Sequence, residues 1–163
     1  MINYKKFMAK LEFLSQRIGS WVMDYSERNQ LPYPNVCYMS IDIASNLRKL
    51  GFRTRAVGTT GSDFQHYYCI INYGGRQYAL DVTSIQFQGN YNIKNIPDYW
   101  KSAPYSLDWF PKNAKLYITE LGRHGFHTPA GDVRGERDFF LDSVSRKKMY
   151  LYLRRELKRY ERS

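Results

Sequence analysis

The sequence has few of the features that define several protein classes. It contains two cysteines, too few for a disulfide scaffold, which leaves either one bridge between Cys37 and Cys69 or two free thiols. No apolar run approaches the ~18 residues of a transmembrane helix, so a membrane span is excluded. The N-terminal segment lacks the apolar stretch of a secretory signal, and there is no internal repeat.

The composition is that of a globular domain with a basic surface. The 163 residues are 43% hydrophobic and 25% charged, which fits a single domain over 1–163. Aromatic residues reach 17%, most of them tyrosine. Lys and Arg outnumber Asp and Glu by 25 to 15, giving a net charge of +10 that favours anionic partners.

Three helices are predicted. Apolar residues recur at three- and four-residue steps over residues 4–27, which indicates an amphipathic helix. A second helix is predicted over residues 36–50, with Asn35 as its N-cap and Gly51 ending it. A third, with a basic end, is predicted over about 136–161.

A β-hairpin is the clearest local signal. Residues 65–73 and 76–83 favour strands, and Gly74-Gly75 between them favours a two-residue turn. This turn pairs Tyr73 with Arg76 and so sets the register of both strands. The preceding β-prone stretch covers residues 52–57, a loop is predicted over 58–62, and a short strand over 116–121.

The register groups polar residues on one face of the hairpin. His66, Tyr68, Asp81 and Thr83 share that face, whereas Cys69 lies on the apolar one. His66 and Asp81 are diagonal neighbours, roughly 7–8 Å apart at the backbone and within side-chain reach.

Cys37 falls at about the N2 position of the predicted second helix. Unpaired amide groups and the helix dipole there stabilise a thiolate, the nucleophile of acyl transfer. His66 would exchange its proton, and Asp81 would fix the imidazole tautomer. We therefore predict a catalytic triad of Cys37, His66 and Asp81. The alternatives are a buried structural thiol, a surface histidine and a solvated acid.

The ordered set resembles the core of papain-like and transglutaminase-like cysteine enzymes over about residues 30–87. The segments that carry the resemblance are Asn35-Val36-Cys37-Tyr38-Met39-Ser40, His66-Tyr67-Tyr68-Cys69-Ile70-Ile71 and Tyr78-Ala79-Leu80-Asp81-Val82-Thr83. Asp-x-Thr after a glycine turn looks like the transglutaminase core. The small size and Gln86-Phe87 look most like bacterial papain-fold toxin domains and effector deamidases. Tyr38 stands where papain-like proteases commonly carry a tryptophan.

The resemblance implies a papain-like α+β fold in which N-terminal helices, with Cys37 at a helix start, pack on an antiparallel sheet closed by a C-terminal helix. It implies a cysteine hydrolase without a cofactor that acts on a protein, as a bacterial toxin or effector protease. A protein-glutamine deamidase or transglutaminase would use the same triad. Gln30 is then the oxyanion-hole candidate beside the Cys37 amide. Such an enzyme would act in the cytoplasm, including that of a target cell entered through a secretion system.

The C-terminal helix offers a second functional surface. Residues 146–163 hold eight Lys or Arg against two Glu, and an apolar stripe within them predicts that the charges are solvated. The residues singled out as a partner or substrate surface are Arg154, Arg155, Lys158 and Arg159. They could bind an acidic immunity or inhibitor protein, or nucleic acid. In a different functional class, the chain would be a non-catalytic basic nucleic-acid-binding or inhibitor protein.

His124 and His127 lie in a Gly-rich polar stretch. Their spacing fits one helical turn, but the surrounding glycines and a proline argue against a helix, and no further ligand stands at a diagnostic spacing. A polar loop, or a flap facing the substrate, is the interpretation we favour over a metal site.

Overall fold

The computed structural model describes residues 3–31, 33–60, 65–82, 118–120 and 139–163, with backbone alone at 33–35, 59–60, 65–66 and 118–120. This part of the chain has the predicted α+β class. Its elements are α1 (Tyr4–Arg28), a 3₁₀ helix (Tyr33–Met39), α2 (Ser40–Lys49), β1 (Arg53–Thr60), β2 (Gln65–Tyr73), β3 (Arg76–Leu80), β4 (Ile118–Glu120) and α3 (Ser143–Arg162). The strands form one antiparallel sheet in the order β1-β2-β3-β4.

Helix α1 follows its hydrophobic pattern closely and ends one residue beyond the prediction. Its N-cap is Asn3, whose side-chain oxygen accepts a hydrogen bond from the Lys6 amide at 3.0 Å. One stripe is buried in the core, comprising Leu11, Leu14, Ile18 and Val22. This stripe places α1 against the sheet and the other helices.

The second helix differs from the prediction at its start. Residues 33–39 are wound as a 3₁₀ helix, and the α-helix begins only at Ser40. Its N-cap residue is Met39, which makes no side-chain capping bond, so the predicted cap at Asn35 is wrong. Pro34 lies in the first turn of this 3₁₀ helix. Amides in a first turn have no acceptor within the helix, so the missing amide donor of proline costs little there.

Gly51 ends α2 as predicted. Its φ is +95°, and the amides of Gly51 and Phe52 donate to the carbonyls of Arg48 and Leu47, both at 3.0 Å. These two bonds form a Schellman motif, which satisfies carbonyls that the helix end leaves open. The chain then turns directly into β1.

The hairpin is confirmed in its turn and register. Tyr73 pairs with Arg76 and Cys69 with Leu80, and both turn glycines have positive φ. Strand β3 ends at Leu80, short of the predicted residue 83, and Thr83 lies outside the described residues. The predicted loop from Gly58 is wrong for its first residues, because β1 continues to Thr60 and pairs with Gln65.

The two faces of the sheet carry separate hydrophobic clusters. Cys69, Ile71 and Leu80 belong to the main core shared with the helices, whereas Ile70 and Ala79 belong to a second cluster with Val57 and Tyr68. The predicted alternation along β2 and β3 is therefore correct.

Helix α3 starts later than predicted and closes the main core. Its N-cap is Asp142, whose carboxylate accepts from the Ser145 amide at 2.8 Å. Of the predicted stripe of Met149, Leu153, Leu157 and Tyr160, the first three residues are buried and Tyr160 is half-buried. Across the described ranges, no helix combines the length and apolarity needed to cross a membrane.

Candidate functional site

Cys37 lies within the 3₁₀ helix, three residues before α2 begins, so the prediction that it occupies N2 of an α-helix is wrong. Its side chain is buried, with 4% of its surface exposed. Its neighbour Tyr38 and Ser40, the first residue of α2, both contact strand β2.

The segment around Cys37 packs against the beginning of β2. Ser40 Oγ donates a hydrogen bond to the Tyr67 carbonyl at 3.2 Å, and the Tyr38 and Tyr67 rings lie 4.9 Å apart. Cys69 Sγ in turn donates to the Ser40 carbonyl at 3.1 Å. Three contacts thus fix the 3₁₀ helix and the first turn of α2 to strand residues 67–69.

His66 immediately precedes this contact in β2, where its backbone pairs with Thr59. Its side chain lies outside the described part of the structure. Because β2 runs from residue 65 to the Gly74-Gly75 turn, His66 and the end of β3 are at the same end of the sheet, and the Cys37 segment packs there.

Asp81 directly follows β3 at that end of the sheet and is 1% exposed. Burial is the main reason that the pKa of Tyr68 is raised far above its usual range, and the Asp81 carboxylate raises it further. The negative charge of Asp81 also contributes to the raised pKa of Cys69. A carboxylate in this place can stabilise a nearby cation such as an imidazolium.

No disulfide joins Cys37 and Cys69, so the alternative of a bridge between them is wrong. Burial raises the pKa of the Cys69 thiol well above its ordinary value, and this thiol already donates to a carbonyl. Cys69 is therefore a packing residue and not a nucleophile.

Gln30 lies in the turn after α1 with an exposed side chain. Its φ is +51°; the Gln30 amide donates to Glu27 O at 3.3 Å and the Leu31 amide to Ser26 O at 3.0 Å. These bonds give Gln30 the left-handed position of a Schellman motif. Its assignment to an oxyanion hole stays a prediction.

Asp42 is a buried acid that the sequence analysis missed. It lies in α2 at 0% exposure, and its carboxylate accepts hydrogen bonds from the amides of Phe140 and Leu141 at 3.0 and 3.2 Å. The Phe140 ring stacks at 6.3 Å on Tyr38, the neighbour of Cys37. The only sequence signal was an acid flanked by isoleucines inside an apolar helix.

The environment of Asp42 raises its pKa to about 6. Burial is the main cause, opposed by the two amide donors and by the Arg146 guanidinium, whose Nη1 lies 3.7 Å from Oδ1. Through these bonds Asp42 links α2 to Phe140, which contacts Tyr38, and to Arg146 at the start of α3.

The remaining predicted residues divide between surface and undescribed parts of the chain. Arg154, Arg155, Lys158 and Arg159 lie on the exposed side of α3. His124, His127 and Gln86-Phe87 lie outside the described residues. Where the structure does describe the chain, no three His, Cys, Asp or Glu side chains gather into a metal-binding group.

Comparison with protein-family models, curated proteins and solved structures found no match to the chain.

Proposed function

We propose that the chain is a cysteine-dependent acyl-transfer enzyme with a papain-like core that acts on a protein substrate, as a toxin- or effector-type protease. A glutamine deamidase or a transglutaminase would use the same residues. The observation that supports it is the packing of the Cys37 segment on β2 at Tyr67, the residue next to His66. Asp81, buried at the same end of the sheet, supplies the third group.

In the proposed reaction His66 takes the proton of Cys37, and the thiolate attacks a peptide or carboxamide carbonyl carbon. A C–S bond forms, and the oxyanion is stabilised by the Cys37 amide and, in our proposal, by Gln30. The C–N bond then breaks as His66 gives its proton to the leaving amine or ammonia. Water hydrolyses the thioester and restores the thiol, or a second amine takes the acyl group.

The proposal requires a particular arrangement of side chains at the start of β2. Tyr67 and Cys69 contact the Cys37 segment, whereas Tyr68 lies in the cluster on the other face. Strict alternation would assign position 66 to the face of Tyr68. Catalysis therefore requires the His66 imidazole to reach around the end of the sheet, between the Cys37 segment and Asp81.

The first test measures the alkylation of Cys37 by iodoacetamide against pH, site by site, by peptide mass spectrometry. An activated thiolate reacts at pH values well below those of an ordinary cysteine, and we expect the rate at pH 6 to fall at least tenfold in His66→Ala. Cys69 is the internal control, and His124→Ala is the matched histidine variant. A Cys37 rate that is indifferent to His66→Ala would contradict the proposal.

A second measurement does not depend on access of a reagent to the buried thiol. An imidazolium beside a thiolate and a carboxylate titrates at a higher pH than a free histidine. We therefore expect the NMR titration midpoint of His66 to fall in both Cys37→Ala and Asp81→Asn, while those of His124 and His127 stay unchanged. If neither variant changes the titration midpoint of His66, the imidazole does not interact with Cys37 and Asp81, and the proposed triad is wrong.

With an activated thiol established, intact-mass proteomics of treated lysates would separate the three chemistries. Cleavage products indicate a protease, the small mass gain of deamidation a deamidase, and cross-linked species a transglutaminase. Cys37→Ala is the inactive control.

A further inference from the structure

The two acids of α3 pair with cations of α1, and Glu156 is buried while doing so. Glu156 is 7% exposed and lies 3.7 Å from Arg17 of α1, and Glu161 pairs with Lys10 of α1 at 3.1 Å. Burial of Leu153 and Leu157 fixes this orientation of the helix. The cations from Arg154 to Arg162 are consequently exposed together on the side away from the core.

These cations surround an exposed apolar residue. A shallow groove of about 400 Å³ runs along the helix surface. Its lining residues are Leu151, Arg154, Arg155, Lys158, Arg159 and Arg162, which we call the basic groove. Leu151 is 48% exposed, unlike the other leucines of α3. Within the described ranges, only Arg155 and Arg159 of the groove form ion pairs, both with Glu156.

We propose that the basic groove docks an acidic protein surface that contributes apolar side chains to Leu151. The cations match a partner of opposite charge and accelerate its encounter, and a buried apolar anchor within a charged rim is the usual anatomy of a protein interface. This proposal does not depend on the proposed catalytic function.

The same groove is poorly suited to nucleic acid. Single strands bind by stacking bases on exposed aromatic rings, but each of the three α3 tyrosines already contacts another residue. Tyr160 stacks on Phe13 at 4.8 Å, the Lys49 ammonium lies 5.9 Å from the ring centre of Tyr150, and Tyr152 packs against the core with the Arg155 guanidinium 5.6 Å from its ring centre. A leucine adds nothing to phosphate recognition, whereas it adds contact area to a protein interface.

The test uses the full chain and three fluorescent probes, with anisotropy as the readout. The first probe is a synthetic amphipathic helix with a leucine stripe flanked by glutamates, and the second has serines in place of its leucines. The third is a 20-nucleotide single-stranded DNA. We expect the first probe to bind at least tenfold more tightly than either of the others.

Variants of the groove assign the binding to its residues. Leu151→Ser should weaken the first probe about five-fold without affecting the second, and Arg154→Ala with Lys158→Ala should weaken it at least tenfold. Lys5→Ala with Lys6→Ala, exposed on α1, removes the same charge elsewhere and should change binding less than two-fold. Circular dichroism verifies that each variant is folded.

Three outcomes would overturn the proposal: no binding of the first probe, equal binding of the first two probes, or tighter binding of the DNA. Equal losses in the groove variant and the α1 variant would also reject it, because binding would then follow net charge alone.

Discussion

At the scale of single residues, the carboxylate of Asp42 determines how the last helix is attached to the second. It accepts two backbone amides from the segment before α3, and Arg146 of α3 donates to the Leu141 carbonyl at 3.2 Å. Asn46 of α2 donates to the Arg146 carbonyl at 3.1 Å. One buried acid is therefore the centre of a polar network in an otherwise apolar contact.

This network predicts a dependence of stability on pH. The pKa of Asp42 is about 6 in the fold against 3.8 for the free side chain, so the folded state binds its proton more tightly. Protonation of Asp42 therefore stabilises the fold at low pH. Its contribution to the free energy of unfolding is roughly 3 kcal/mol; it is present below about pH 4 and is lost as the pH rises through 6.

Asp42→Asn, which has no proton to lose, isolates that contribution. We expect the free energy of unfolding of the variant, relative to that of the native chain, to rise by about 2–3 kcal/mol between pH 4 and pH 7, because only the native chain ionises a buried acid in this range. Urea unfolding across this range measures it, with Asp142→Asn at the exposed N-cap as the control. A difference between Asp42→Asn and the native chain that does not change with pH would show that Asp42 is not protonated near pH 6.

At the scale of elements, the hairpin was predictable from local chemistry and the start of the second helix was not. Gly74-Gly75 allows a tight turn with positive φ at both positions, and this turn sets the register from Tyr73 to Leu80. The 3₁₀ helix packs through Tyr38 against Tyr67 in β2, and the Asp42 network joins residues 98 positions apart in sequence. Sequence periodicity contains no information about such distant partners.

The two turn glycines differ in the space available for a side chain, which gives a second prediction. A Cβ on Gly74 would lie 2.6 Å from the Tyr4 hydroxyl, whereas a Cβ on Gly75 meets nothing within 4 Å. Tyr4 cannot easily yield, because it donates to the Gly74 carbonyl and packs edge-on to Tyr73.

We therefore expect Gly75→Ala to lower the free energy of unfolding by about 1 kcal/mol through its positive φ alone, and Gly74→Ala by about 2–3 kcal/mol. Thermal unfolding of the two variants measures the difference, and Tyr4→Ala in the Gly74→Ala background should remove the excess. Equal losses at the two positions would mean that Tyr4 does not constrain the turn.

At the scale of the whole molecule, α1 and α3 come from opposite ends of the sequence and pack on each other. Their contacts include Phe13 with Tyr160 and the ion pair of Lys10 with Glu161. The α+β class followed from the periodicity of the helices and the hairpin pattern. The burial of Glu156 could not be predicted from the sequence, because Glu156 pairs with Arg17 in another helix.

A pair of leucines in α3 tests whether this helix belongs to the cooperative core. Leu153 is fully buried and Leu151 is half-exposed. Leu153→Ala should therefore lower the free energy of unfolding by about 2–4 kcal/mol, and Leu151→Ala by less than about 0.5 kcal/mol. Denaturant unfolding followed by both far-UV circular dichroism and tryptophan fluorescence should give coincident transitions. A Leu153→Ala loss as small as that of Leu151→Ala would place α3 outside the core.

The pairing of the first and last helices also sets an order of events during synthesis. Before residues 139–162 are synthesised, the faces of α1 and α2 that receive α3 lack the cover of this helix, and the Asp42 carboxylate lacks the amides of Phe140 and Leu141. The hairpin can form early because its contacts are local, but closing the core requires a loop of more than a hundred residues. The nascent chain therefore leaves the apolar surface that α3 will cover without that cover until this helix is translated, and it is more open to chaperones and proteases in that interval.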